Sequence, residues 1–152
     1  MKYQDILETM KALIEEQPNE IAILSNASAL INQSFDHINW VGFYLYDGNN
    51  LTVGPFQGKV ACSIIPLGKG VCGEAALLKK TLTIKDVHQH ENHIACDANS
   101  QSECVVPIYL KDRLYGVLDV DSPIVNRFDS DIVIFFEHFV DLLIKQLTKA
   151  TL

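Results

Sequence analysis

Nowhere in its 152 residues does the chain gather lysine and arginine into a cluster. Its 12 basic and 19 acidic side chains leave a formal net charge of −7, and the basic ones are dispersed. A nucleic-acid backbone is therefore excluded as the expected partner. No apolar run approaches the roughly 20 residues that cross a bilayer, so no membrane attachment is expected. The polar opening Met1-Lys2-Tyr3-Gln4-Asp5 lacks the apolar stretch of a secretory signal. Linkers, internal repeats and low-complexity tracts are also missing, and the expectation is one domain over 1–152. Finally, the 4 cysteines include no Cys-x2-Cys pair of the kind that zinc favours.

What is present is an ordinary globular mixture, 48% hydrophobic and 20% charged. Four cysteines without a secretory signal point to a reducing, cytoplasmic setting, where cysteines serve catalysis or metals more often than structural bridges. Ile6, Met10 and Leu13 recur at helical spacing until Pro18 breaks the pattern, and a second helix is predicted over 20–32. The period then changes. A strand over 38–46 ends in Asp47-Gly48-Asn49-Asn50, a hairpin signal, and returns over 51–56. Shorter elements follow: a strand at 62–65, a helix at 71–78 and a strand at 82–84. An irregular stretch, 86–102, is long enough for a lid. A second hairpin, 105–110 with 114–120, precedes an amphipathic helix over 128–147, with Asp129 or Ser130 near its N-cap. This order predicts an α+β domain, an antiparallel sheet with helices packed on it. The apolar faces of the terminal helices suit a possible homodimer.

Three cysteines stand in segments broken by Gly, His and Asn: Cys62, Cys72 and Cys96. A cysteine in a polar, accessible loop can become a thiolate, whereas a buried one is inert. Cys72 is expected at a helix start, where unpaired N–H groups favour a thiolate; the alternative is a small core residue. Cys96 lies between His93, which when protonated would lower a thiol pKa, and Asp97, which would raise it. His93 and Cys96, three positions apart, also keep a zinc site in consideration. Cys104 sits in a strand-like run and is assigned to packing.

Asp119 and Asp121 alternate on a strand and so share a face. Either they have a purpose there or they mark a solvated strand end before Ser122-Pro123. Glu103 opens the partner strand and can reach the same neighbourhood. Clustered carboxylates repel, which raises a pKa and leaves an acid able to donate a proton. Trp40 and Tyr44 also share a strand face and suit the wall of a pocket for an S-methyl group or a cation. Gly42 between them is read as facing away.

Asn39-Trp40-Val41-Gly42-Phe43-Tyr44, Gly54-Pro55-Phe56-Gln57-Gly58-Lys59, Gly70-Val71-Cys72-Gly73, Asp86-Val87-His88, His93-Ile94-Ala95-Cys96-Asp97 and Gly116-Val117-Leu118-Asp119-Val120-Asp121-Ser122 closely resemble the free methionine-(R)-sulfoxide reductases. That family is built on the GAF domain, a six-stranded antiparallel sheet with helices on its faces. The resemblance runs from about Met1 through the closing helix. It implies that Cys96 attacks the sulfoxide sulfur, and that Cys62, Cys72 or both resolve the intermediate. It places Trp40 and Tyr44 among the pocket aromatics and Glu103, Asp119 and Asp121 among the acids that contact substrate. It also implies no metal and no bound cofactor, with thioredoxin and NADPH as the external reductant.

The chemistry fits these residue types. A sulfoxide oxygen leaves only when protonated, a task for Glu103 or Asp121. A sulfenic acid on Cys96 would condense with a nearby thiol to a disulfide, and an external dithiol would reduce it again. Asp119 is then available for the ammonium of free methionine. Two other readings compete: a GAF-type sensor of a small metabolite without turnover, and a zinc-binding regulatory module.

Overall fold

The computed structural model describes residues 2–94, 96 and 99–150. Helical spacing opens the chain: α1 (Tyr3–Ile14) buries Ile6, Met10 and Ile14 along one stripe. Leu13, expected with them, is 45% exposed because it falls off that stripe. After Pro18 the Asn19 side chain caps α2 (Glu20–Ser34), its Oδ1 accepting the N–H groups of Ile21 and Ala22. Strand β1 (Trp40–Tyr46) turns back into β2 (Asn50–Gly58) where Asp47 Oδ1 accepts from Asn49 and Asn50. There follow β3 (Ile64–Pro66), α3 (Gly70–Leu78), β4 (Leu82–Ile84), a 3-10 turn at Val87–Gln89, β5 (Ser102–Leu110), β6 (Arg113–Ser122) and α4 (Ser130–Ala150). Asp129 opens α4, its carboxylate accepting the Ile132 N–H at 2.9 Å.

The sheet has six strands in the order β3-β2-β1-β6-β5-β4, and every neighbouring pair is antiparallel. Alternation along β1 divides its side chains between two cores. Val41 and Phe43 enter the larger one, where Leu24 of α2 and the phenylalanines 135, 136 and 139 of α4 pack with Ile6 and Met10 of α1. Trp40 and Tyr44 enter the smaller one, roofed by Val71, Cys72, Ala75 and Ala76 of α3. Gly42 lies between Trp40 and Tyr44 on that same face, contrary to the expectation that it would face away. Pairing sets it opposite Phe56, and a Cβ on Gly42 would collide with the Phe56 side chain. Among the described residues no helix is long and apolar enough to cross a membrane.

Candidate active site

The thinner face of the sheet carries the acids. Pairing sets Asp121 opposite both Glu103 on β5 and Trp40 on β1, and Asp119 opposite Val105 and Gly42. The ladder between β5 and β6 continues to Ser102 and Ser122, so the solvated, fraying strand end does not exist. Glu103 and Asp119 are buried, 7% and 5% exposed. Burial pushes the Glu103 carboxyl well above its ordinary range, with the Asp119 charge adding to it. Burial, then the Asp121 charge, does the same to Asp119. In each case the shift favours the protonated form of the acid.

Cys72 hangs over these acids from the first turn of α3, its Sγ donating to Glu103 Oε2 at 3.9 Å. Of the two readings of Cys72, a thiolate at a helix start and a small core residue, its burial favours the second. Burial, followed by the charges of Asp119, Glu103 and Asp121, pushes the thiol well up. Ligand atoms of Cys72, Glu103 and Asp119 lie within 4.8 Å of one another. Burial favours the protonated form of each, which suits hydrogen bonding to a polar ligand, whereas a metal binds the deprotonated forms.

Aromatic rings close the opposite side. Trp40 and Tyr44 stack with ring centroids 5.6 Å apart, and Phe56 backs Trp40 at 5.1 Å. The Trp40 ring is fixed by its N–H donating to the Lys59 carbonyl at 3.2 Å. Burial, then the Asp119 charge, raises the Tyr44 hydroxyl and keeps it protonated.

At the mouth, Cys62 and Cys96 form a disulfide with Cα atoms 5.4 Å apart. Cys62 precedes β3 rather than opening it, and both cysteines are half-buried. Cys72 and Cys104 are free and buried. Burial pushes the Cys104 thiol up to about 12, in keeping with a packing role. His93 lines the pocket but is no thiolate-stabilising cation: burial, then the charges of His88 and His90, lower its pKa. Asp97, the other group expected to act on Cys96, lies outside the described residues. The disulfide also removes Cys96 from any zinc site with His93. The pocket brings together all eight expected site residues except Cys62, which reaches it through its bond to Cys96.

The GAF domain family matches residues 19–147. The free methionine-R-sulfoxide reductase of Escherichia coli is 45% identical over 129 residues, covering 85% of this chain and 78% of that protein. The chain belongs to the free methionine-(R)-sulfoxide reductase family.

Solved members of that family superpose throughout. The reduced form of the Staphylococcus aureus fRMsr gives a TM-score of 0.93 at 52% identity, covering 96% of this chain and 95% of that one. The Neisseria meningitidis free methionine-R-sulfoxide reductase, solved with its substrate, gives 0.95 at 36%, covering 98% and 90%. The six-stranded antiparallel GAF sheet with helices on its faces is thus the fold of this chain.

Several lining residues of this reductase-family pocket escaped sequence reasoning. Ser100 is 95% buried, as its 5% exposure records, and its hydroxyl accepts from Asn39 Nδ2 at 3.1 Å. Ile65 and Val71 add apolar wall. Ser100 stands two residues before β5 in the irregular stretch, where no periodicity marks it. Phe56 had a readable signal: a glycine opposite an aromatic on paired strands points to close approach.

Proposed function

We propose that this protein reduces free L-methionine-(R)-sulfoxide to methionine by cysteine thiol chemistry. The single observation that carries the reading is the meeting of a stacked aromatic wall, two buried acids with raised pKa values and a Cys62–Cys96 disulfide around one pocket. The family relatives named for this reaction support it.

In this account Trp40 and Tyr44 hold the S-methyl end of the substrate, and Asp119, giving up its proton as the ammonium docks, meets that charge beside Asp121. That contact favours a free amino acid, since a residue within a chain has an amide there instead. Cys96, as thiolate, attacks the sulfoxide sulfur while Glu103 gives its proton to the oxygen. The S–O bond breaks, methionine leaves and Cys96 becomes a sulfenic acid. The Cys62 thiol then attacks the Cys96 sulfur, releasing water and closing the disulfide. Cys62 is chosen as the direct resolving residue because it is the one bonded to Cys96. Cys72 keeps its proton and orients Glu103. Two electrons from a thioredoxin dithiol, restored by NADPH in the cytoplasm, reopen the disulfide. No metal or bound cofactor takes part.

The test is NADPH consumption with thioredoxin and thioredoxin reductase on the R epimer, the S epimer and a peptide-bound sulfoxide. Turnover is expected with the free R form alone, and Cys96→Ser should abolish it with the fold intact. A protein whose thiols titrate as reduced, yet which turns over none of the three, would instead be a ligand-binding GAF domain.

A further inference from the structure

The residues that lead to Cys96 are fastened to α3 by a set of contacts independent of the disulfide. Asn92 Nδ2 donates to the carbonyls of Gly68 at 3.0 Å and Gly70 at 3.4 Å, and to Glu74 Oε2 at 3.2 Å. Its Oδ1 accepts the Gly70 N–H at 3.3 Å. The same Glu74 oxygen is 3.0 Å from His90 Nε2, with both side chains about three-quarters buried (28% and 23% exposed). Ile94 completes the seat: a Cβ on Gly70, whose φ is +64°, would press against the Ile94 side chain at 3.1 Å. Cys96 is tied to this seat by its N–H, which donates to the Ile94 carbonyl at 3.1 Å.

We propose that Glu74, His90 and Asn92 form a latch that positions Cys96 against Cys62 and so sets the equilibrium of their disulfide. They are positioning residues, acting on the sulfurs through the chain between Asn92 and Cys96. The two cysteines are 34 positions apart, and a free segment of that length visits the bonding geometry rarely. Pinning it at Asn92 leaves a short tether and raises the effective concentration of one thiol at the other. The hydrogen bonds of His90 and Asn92 hold the Glu74 carboxyl below its ordinary range. The inference takes from the proposed function only that Cys62 and Cys96 are the exchanging pair.

The experiment is a glutathione redox titration of the full chain, followed by mass spectrometry after thiol trapping. The balance is protein dithiol plus glutathione disulfide giving protein disulfide plus two glutathione, two electrons and two protons passing to glutathione. Asn92→Ala, alone and with Glu74→Ala, should lower the equilibrium constant about tenfold, which corresponds to about 1.4 kcal/mol. Glu74→Gln keeps an oxygen for Asn92 and His90 and should stay close to the parent, as should the exposed Glu91→Ala. Near-parent values for both Asn92→Ala and the double variant would overturn the latch. So would an equal fall in Glu91→Ala, or in the reduced protein's urea stability, which would mark a general structural effect. If the double variant does not fold, Asn92→Ala decides alone. No sulfoxide enters this titration, so a failed reductase assay leaves its outcome readable.

Discussion

Glu103 is a carboxylic acid with 7% of its surface exposed, facing Asp121 across the ladder and Cys72 from above. Its raised pKa has a consequence for stability. Below about pH 4.5, the ordinary value, folded and unfolded chains both keep this proton. Above it the unfolded chain loses the proton while the fold retains it, so stability falls as pH rises until the buried acid ionises. Asp119 acts in the same direction. Urea midpoints followed upward from pH 4.5 should therefore decline, and Glu103→Gln, neutral at every pH, should flatten part of that decline. The same substitution removes the proton donor and should lower kcat by about a hundredfold to ten-thousandfold, with a smaller effect on KM. The two free cysteines give a second check at this scale. Cys72 and Cys104 are buried with raised thiol pKa values, so iodoacetamide should label neither in the folded oxidised protein and both after denaturation. Prompt labelling of Cys72 in the native state would contradict its burial.

At the scale of the element, β1 and its two partners position the site. Trp40 and Asp121 are register neighbours, as are Gly42 and Asp119, so one face of three strands presents ring, gap and acid together. The gap is filled by Phe56 of β2. Gly42→Ala should cost about 1–3 kcal/mol, the usual result of overpacking a core. The loss is expected in urea unfolding with a misplaced Trp40 ring as its cause, visible as altered tryptophan fluorescence in the native state. An unchanged midpoint would mean that Phe56 moves freely. Much of this was legible in the sequence. Period-2 alternation placed Asp119 with Asp121 and Trp40 with Tyr44, and the Pro18 and Asp47-Gly48 signals marked their boundaries. Strand ends were less so: β5 begins at Ser102 and β6 runs to Ser122, because cross-strand pairing carries the ladder past the point where local propensity fades.

At the scale of the whole molecule, the sheet separates two tasks. Its thick face, under α1, α2 and α4, buries the larger aromatic and aliphatic cluster and supplies most of the apolar driving force. The other face, under the short α3, tolerates buried acids and a free thiol because the fold is held from behind. The choice for Cys72 between a thiolate and a small core residue stayed open in the sequence for this reason. A helix start is visible locally, but the acids beneath it come from strands about thirty and fifty residues downstream. The Cys62–Cys96 pairing was likewise open, since Cys62 and Cys72 are equally consistent with a loop cysteine until the fold sets distances.

A single turnover without external reductant tests the central claim most directly. Reduced protein, mixed with a slight excess of free L-methionine-(R)-sulfoxide, should release one methionine per chain. It should lose two titratable thiols at the same rate, and peptide mapping should find Cys62 joined to Cys96. Methionine formed without thiol loss, or a disulfide that joins Cys96 to Cys72 and leaves Cys62 free, would contradict the account.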